Sequence, residues 1–422
     1  MPSYESHVLY SVILDYPASR DYSPLVVLQF KPLALWFRPY RIRRNKMSIV
    51  TISNNEALIR KEETMKYRPF GKTGLQVSSL SFGCMRLADD QEYNSSLIAQ
   101  AIDLGVNYFE TTRYYLGGTC QHRTAPGLLG KLPGVIVSGK EGIGPDQTAY
   151  RFRKEIERQL DILGLSHFKF FQVGWFSWAM MPHLLKRGGV LEAIREAQKQ
   201  GLIQHVGFTG HDTPDNFIKC IETGLFDSLT VPYNMINRAY EPTIKRAGEL
   251  GVGVVAMCPV AGGVLSLESD RLKEALQMDL PTTEMALRFV LSNPNVSTVC
   301  SGMNRTEQLL QNVKTVKEFE PGTCDFGAMC EGLNRLRATL GDRFCTGCRY
   351  CMPCPQGVDI PRHMDIYRNW KCFGLREWAA TAVKGTPEDK SAAKCNQCGI
   401  CEGKCPNTLE IRKMLKELLS LV

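Results

Sequence analysis

Long apolar runs are missing from this 422-residue sequence. A membrane-spanning helix needs a run of about eighteen apolar residues. The longest candidate, 25–37, is interrupted by Gln29, Lys31 and Pro32, so no membrane span is expected. Nothing near the start resembles a cleavable secretory signal. A dense basic patch with interleaved aromatics is also missing, which argues against nucleic acid as a partner. The formal charge is +8, and half of it lies in residues 1–46, where seven Lys/Arg oppose three Asp/Glu. The one basic run there, 38–46, reads as a solvated tail. Finally, no G-x-G-x-x-G follows the first strand candidate, which disfavours a doubly wound dinucleotide-binding sheet. Apolar residues at 44% and charged residues at 22% suit a globular protein with a sizeable core.

Cysteine, by contrast, is abundant: sixteen in all, eight of them in two tight C-terminal runs. The first is Cys345-x2-Cys348-x2-Cys351-x2-Cys354-Pro355; the second is Cys395-x2-Cys398-x2-Cys401-x3-Cys405-Pro406. The second has the bacterial ferredoxin spacing, and the first is one residue short before its fourth cysteine. Three thiolates at x2 spacing wrap three corners of a [4Fe-4S] cubane, and the fourth cysteine of each run ligates the other cluster. That rule assigns Cys345, Cys348, Cys351 and Cys405 to one centre and Cys395, Cys398, Cys401 and Cys354 to the second. Structural zinc and disulfides are the competing readings. The triplet-plus-one grouping with trailing prolines favours cubanes. Eight thiolates fill eight iron corners, which leaves no open iron for Lewis-acid work and points to one-electron transfer. Free thiolates and cubanes also imply a reducing compartment and oxygen sensitivity, so a cytoplasmic location is expected.

Ahead of the cysteines, short β-rich runs alternate with amphipathic helical runs. Strands are expected at 79–85, 106–112, 134–140, 169–175, 205–210, 228–234, 253–259 and 296–302, with helices at 150–163, 190–200, 214–223, 241–250, 282–291 and 306–316. Gly164, Gly201, Gly224 and Gly251 stand where helix ends call for a left-handed residue. Eight such units in roughly 240 residues fit a closed (β/α)8 barrel, whose active sites lie at the C-terminal ends of its strands. The expected organisation is a poorly ordered extension at 1–64, a barrel at 65–320, and a helical, ferredoxin-like iron–sulphur domain at 321–422.

Particular segments carry a family resemblance. Met65-Lys-Tyr-Arg-Pro-Phe-Gly-Lys-Thr-Gly-Leu-Gln-Val-Ser78, the segment 80–85, Ala101-Ile-Asp-Leu-Gly-Val-Asn-Tyr-Phe109 and 286–303 resemble aldo/keto reductases. The segment 345–360 resembles the branch of that family with a C-terminal two-cluster module. The resemblance implies an NAD(P)H-dependent carbonyl reductase with a Tyr, Lys, Asp and His tetrad. Carried onto this chain, Tyr115 takes the proton-donor position, Lys140 the lysine position, and Glu110 replaces the usual aspartate. The histidine is absent: Gly174 stands in its position, with His122 and His211 as candidate substitutes.

For the nucleotide, the resemblance implies Ser301, Gly302 and Met303, with Arg305 able to pair a 2′-phosphate of NADP. Gln308 and Asn312 would face the adenosine half. Thr209 and Thr230 fall at the nicotinamide end, and Met257 replaces the aromatic that stacks on the ring. Substrate-specificity loops are expected at 177–187 and 260–270. The implied partners are a small-molecule substrate and, as a further candidate, a redox protein.

Overall fold

The structure is a computed structural model describing residues 64–338, 345, 351–405 and 408–422. The expected extension thus lies, but for Thr64, outside the described residues, as does Cys348.

The chain first makes a small antiparallel hairpin, β1 (Tyr67–Pro69) and β2 (Gln76–Ser78). Eight parallel strands follow: β3 (Leu80–Gly83), β4 (Tyr108–Glu110), β5 (Ile136–Gly142), β6 (Phe168–Gly174), β7 (Ile203–Thr209), β8 (Ser228–Pro232), β9 (Gly253–Met257) and β10 (Thr298–Ser301). They pair in sequence order, and β10 pairs with β3, closing the barrel. A helix follows each strand, from Gln91–Asp103 after β3 to Thr306–Glu318 after β10. This is the expected (β/α)8 architecture.

The boundaries differ from the sequence expectation in instructive ways. Strand β5 runs on to Gly142, so Lys140 lies inside it rather than at its end. Residues Cys84–Arg86 coil into a 3-10 turn instead of extending β3. The loops expected at 177–187 and 260–270 hold short helices, among them Met181–Leu185 and the 3-10 turn Ala261–Ser266. Gly164, Gly201, Gly224 and Gly251 all adopt positive φ at helix ends, where a side chain would strain the backbone.

Two cores hold the barrel. Outside the sheet, apolar residues of strands and helices interleave. Inside, Phe70, Tyr108, Ile136, Phe170, Val255 and Cys300 form a separate plug. Phe70 comes from the hairpin, its ring 4.5 Å from Phe170 and 5.6 Å from Tyr108. A Cβ at Gly253 would come within 2.4 Å of the Phe70 ring, so glycine is what lets the hairpin close the bottom of the barrel.

Beyond the barrel, helix Phe326–Ala338 lies against Asp270–Leu276 and Thr282–Ser292. Helices Ile360–Phe373, Arg376–Lys384 and Ile411–Leu419 then form a small apolar centre of their own. Phe373 and Leu375 nevertheless join the barrel's outer core, and Ser269 Oγ donates to the Phe373 carbonyl at 2.5 Å. The C-terminal helices are therefore seated on the barrel rather than strung beside it.

Candidate functional site

Strand alternation decides which side chains enter the barrel. Counting by twos from plug residues Tyr108, Ile136 and Phe170 turns Glu110, Ser138, Lys140 and Gln172 inward. These form a polar layer above an apolar floor. Lys140 and Glu110 are almost fully shielded, at 2% and 5% exposure. Lys140 Nζ donates to Glu110 Oε1 at 2.6 Å and to the Tyr115 hydroxyl at 3.0 Å. Tyr115 comes from the loop after β4, strapped to β5 by Thr111 N donating to Ser138 O and by the Thr112 hydroxyl donating to Lys140 O. The structure thus brings Tyr115, Lys140 and Glu110 into one hydrogen-bonded chain.

Burial alone would push the Lys140 ammonium down, but the Glu110 charge and the Tyr115 oxygen outweigh it and hold the lysine above its usual value. Burial raises the Tyr115 phenol; Lys140 opposes this without cancelling it.

The second Glu110 oxygen is also held. Gln172 Nε2 donates to it at 3.1 Å and to Ser138 Oγ at 2.9 Å, and the Thr230 hydroxyl donates at 3.4 Å. Thr230 therefore faces the carboxylate from the end of the barrel where the sequence places the nicotinamide. Thr209 is buried at the end of β7, its carbonyl accepting from Phe176 N at 2.9 Å.

Among the described residues, no imidazole joins this layer. Strand β6 ends in Gly174, and the next residue, Trp175, has φ +51° with its ring centroid 4.8 Å from that of Tyr114, edge to face. His122 and His211 are both exposed.

Sequence reasoning missed Glu141, which strand alternation turns away from Lys140. It is buried and clamps the Tyr115 loop: Arg113 donates to it at 3.1 Å, and the Tyr114 hydroxyl donates as well. Arg113 also pairs with Glu155 at 2.9 Å. Burial pushes the Glu141 carboxyl up, against the pull of Arg113 and Tyr114.

At the expected nucleotide end, helix Thr306–Glu318 starts at Arg305 without a side-chain cap. Uncapped first-turn N–H groups are a ready anion site. The acidic Glu307 in that turn works against it. Thr306 N donates to the Tyr93 hydroxyl at 3.0 Å, a residue the sequence did not single out. Asn312 donates to Ser301 Oγ at 3.1 Å, and Gln308 Oε1 accepts from Asn304 N at 3.0 Å, so these side chains brace the loop from within. Met303 is buried, while Gly302 and Arg305 are exposed.

In the C-terminal part, Cys354, Cys395, Cys398 and Cys401, with Cys351, line one hollow. The fourth cysteine of the first run thus sits with the triplet of the second. Cys405 does not border that hollow, and Cys345 lines a different cleft. A cysteine-lined hollow with an apolar back wall of Val358, Ile360 and Leu415 has the donor set of an iron–sulphur cluster. Among the described residues, no helix is long and apolar enough to cross a membrane.

Comparison with known proteins agrees with this layout. Residues 79–329 match the aldo/keto reductase family, and residues 344–410 match the 4Fe-4S dicluster domain. L-galactose dehydrogenase of Arabidopsis thaliana is 26% identical over 289 residues, spanning 61% of this chain and 89% of that protein. The uncharacterized oxidoreductase YqkF of Bacillus subtilis is 22% identical over 291 residues, spanning 59% of this chain and 90% of its own length. The aldo-keto reductase AKR11C1 from Bacillus halodurans, solved in its holo form, shares the fold with a TM-score of 0.57 at 24% identity. That match covers 64% of this chain and 96% of that one.

Proposed function

This chain belongs to the aldo/keto reductase family and carries a C-terminal 4Fe-4S dicluster domain; from there we propose that the two parts serve one redox reaction. In it, NAD(P)H bound at the barrel mouth is coupled to one-electron transfer through two [4Fe-4S] clusters, with reduction or oxidation of a small organic substrate. The observation that carries this reading is a cleft that Cys345 shares with Ile236, Asn237, Arg238 and Glu241, which follow β8 at the barrel's C-terminal mouth. A cysteine of the first run thus borders the end of the barrel where chemistry occurs.

When bound, the nucleotide would supply a hydride equivalent and each cluster a single electron. The residues suited to hold the nucleotide are Ser301, Gly302, Met303 and Arg305 at the uncapped helix start, braced by Gln308 and Asn312, with Thr209 across the mouth. The eight cysteines of the two runs would hold the clusters. This chain's own contribution is to move a proton. The Tyr115 hydroxyl gives its proton to the substrate oxygen, Lys140 stabilises the phenolate left behind, and Glu110 keeps the lysine charged and aimed.

An anaerobic iron and sulfide count with a visible spectrum, followed by NADH and NADPH titration, tests this directly. Four irons per cluster and nucleotide-dependent bleaching are expected. Colourless, zinc-loaded protein, or clusters indifferent to nucleotide, would overturn it.

A second reading is favoured by Gly174 in the histidine position and by Met257 in place of a stacking aromatic. In that reading the barrel is catalytically degenerate and the protein is an electron carrier or binding protein. Tyr115→Phe separates the two, since it abolishes turnover in the first and leaves electron transfer untouched in the second.

A further inference from the structure

Glutamate at position 110 creates a geometric demand. Its carboxylate stands one methylene farther from the backbone than an aspartate would, and such a group turns freely unless both oxygens are held. One oxygen meets Lys140. The other receives Gln172 Nε2 at 3.1 Å, while the same amide nitrogen donates to Ser138 Oγ at 2.9 Å.

We propose that Gln172 is a positioning residue for the Glu110–Lys140–Tyr115 chain, fixing the longer carboxylate so that Lys140 stays directed at the Tyr115 hydroxyl. This rests on the reading of Tyr115 as the proton donor. Strand register explains how one side chain can reach both partners. Gln172 pairs with Lys140 across β5 and β6, and Ser138 pairs with Glu110 across β4 and β5, so all four share one inward layer on three adjoining strands.

The amide orientation is fixed by its neighbours. Turned over, its oxygen would face the Glu110 carboxylate. In the orientation adopted, both N–H groups are used, and Oε1 is left buried without a partner among the described residues. A buried polar atom without a partner costs free energy and calls for an explanation. A leucine or methionine would fill this space without that cost, inside an otherwise apolar stretch of Phe170, Phe171 and Val173. The donor end of Gln172 is the compensating gain.

The test reads Tyr115 itself. The tyrosinate titration is followed by tyrosine-ring NMR, with Tyr115→Phe assigning the signal, in the full chain with its clusters. Gln172→Met should raise the Tyr115 midpoint by about one pH unit, a tenfold change in ionisation constant, as Lys140 loses its aim. Ser138→Ala, which removes one of the two acceptors of the amide, should move it the same way by less, and serves if Gln172→Met folds poorly. In turnover, Glu110→Asp should lower kcat in the native background and cost little more once Gln172 is already Met. Such non-additivity is the signature of two residues acting as one unit.

An unchanged Tyr115 midpoint in both folded variants, or strictly additive losses, would overturn the positioning role. The titration needs no turnover. A shifted midpoint in a protein that no nucleotide reduces would therefore leave the role of Gln172 intact and sink the functional reading instead.

Discussion

Lys140 Nζ lies 2.6 Å from Glu110 Oε1, and neither side chain has meaningful access to water. An ion pair so enclosed is balanced only while both partners remain. Glu110→Ala would strand an ammonium in the barrel and should destabilise the protein by about 3–5 kcal/mol, the usual cost of breaking a buried pair. Glu110→Gln, which still accepts from Lys140, should lose less. Denaturant unfolding of the two variants side by side measures the difference.

Tyr115 hangs on the same lysine from a partly open loop, so its hydroxyl contributes little to stability and much to chemistry. Tyr115→Phe should leave the melting temperature close to native while lowering turnover by about 10²–10⁴-fold, the range for a positioned proton donor. Steady-state rates under anaerobic conditions, beside chemical reduction of the clusters, provide the check. Cluster reduction by a small reductant should not change.

How much of this was legible in the sequence depended on periodicity. The barrel strands are alternating or apolar runs ended by glycine-capped helices, and that pattern survives in one dimension. The hairpin that plugs the barrel has strands of three residues each, too short to show a period, and Phe70 looked like any phenylalanine between a proline and a glycine. Tyr115, Lys140 and Glu110 stood in a motif. Gln172 did not, although a lone polar residue two after Phe170 on an inward-facing strand was a readable signal. The contact of Thr230 with Glu110 was not legible, because resemblance fixes a position along the chain and not the neighbours that position meets. Glu141 and Tyr93 act through loops and helix ends, where no repeat announces them.

Gly210 shows how closely the barrel rim is built. A Cβ there would fall 1.9 Å from the Phe176 carbonyl oxygen, a backbone atom that cannot swing away. Phe176 is itself tied to β7 through its N–H to Thr209 O. Gly210→Ala should therefore cost about 1–3 kcal/mol as an overpacked site and displace the loop after β6. Unfolding midpoints with loop-specific hydrogen exchange test both parts; a neutral substitution would mean that the two backbones are farther apart in solution.

Asp227 sets an acid limit on the barrel. Burial disfavours its charge, but bonds from His205 and from Val206 N outweigh burial and hold the carboxyl below its usual 3.8. A group depressed in the folded state adds stability above its unfolded value and loses it as pH falls through the folded one. Asp227→Asn should therefore be less stable at neutral pH, with a shallower decline below pH 3.8. Unfolding free energies measured from neutral to acid pH should converge at the low end. Parallel curves would mean that the charge contributes nothing.

His363 joins the two cysteine runs through its ring. Nδ1–H donates to the Asp359 carbonyl at 2.8 Å, at the start of the helix after Cys354, and Nε2 accepts from Ala392 N at 3.1 Å, just ahead of Cys395. That arrangement requires the neutral ring, and burial lowers its proton affinity below the usual 6.5, against a weaker opposing pull from Asp359. The linkage has the same sign as at Asp227: stability is complete above pH 6.5 and is lost as the ring is forced to take a proton. A protonated ring must give up the Ala392 N–H, loosening the segment that carries the second triplet. His363→Phe fills the space but leaves that buried N–H without a partner, which should cost about 1–3 kcal/mol at neutral pH. It should also remove the part of the acid lability that belongs to the ring. Anaerobic bleaching rates of the cluster absorbance between neutral pH and pH 5.5 separate these effects, because acid attack on the clusters themselves is common to both proteins. The native protein should lose colour progressively faster below pH 6.5, and the variant should start faster and steepen less. Identical pH profiles would show that the histidine does not link the two runs.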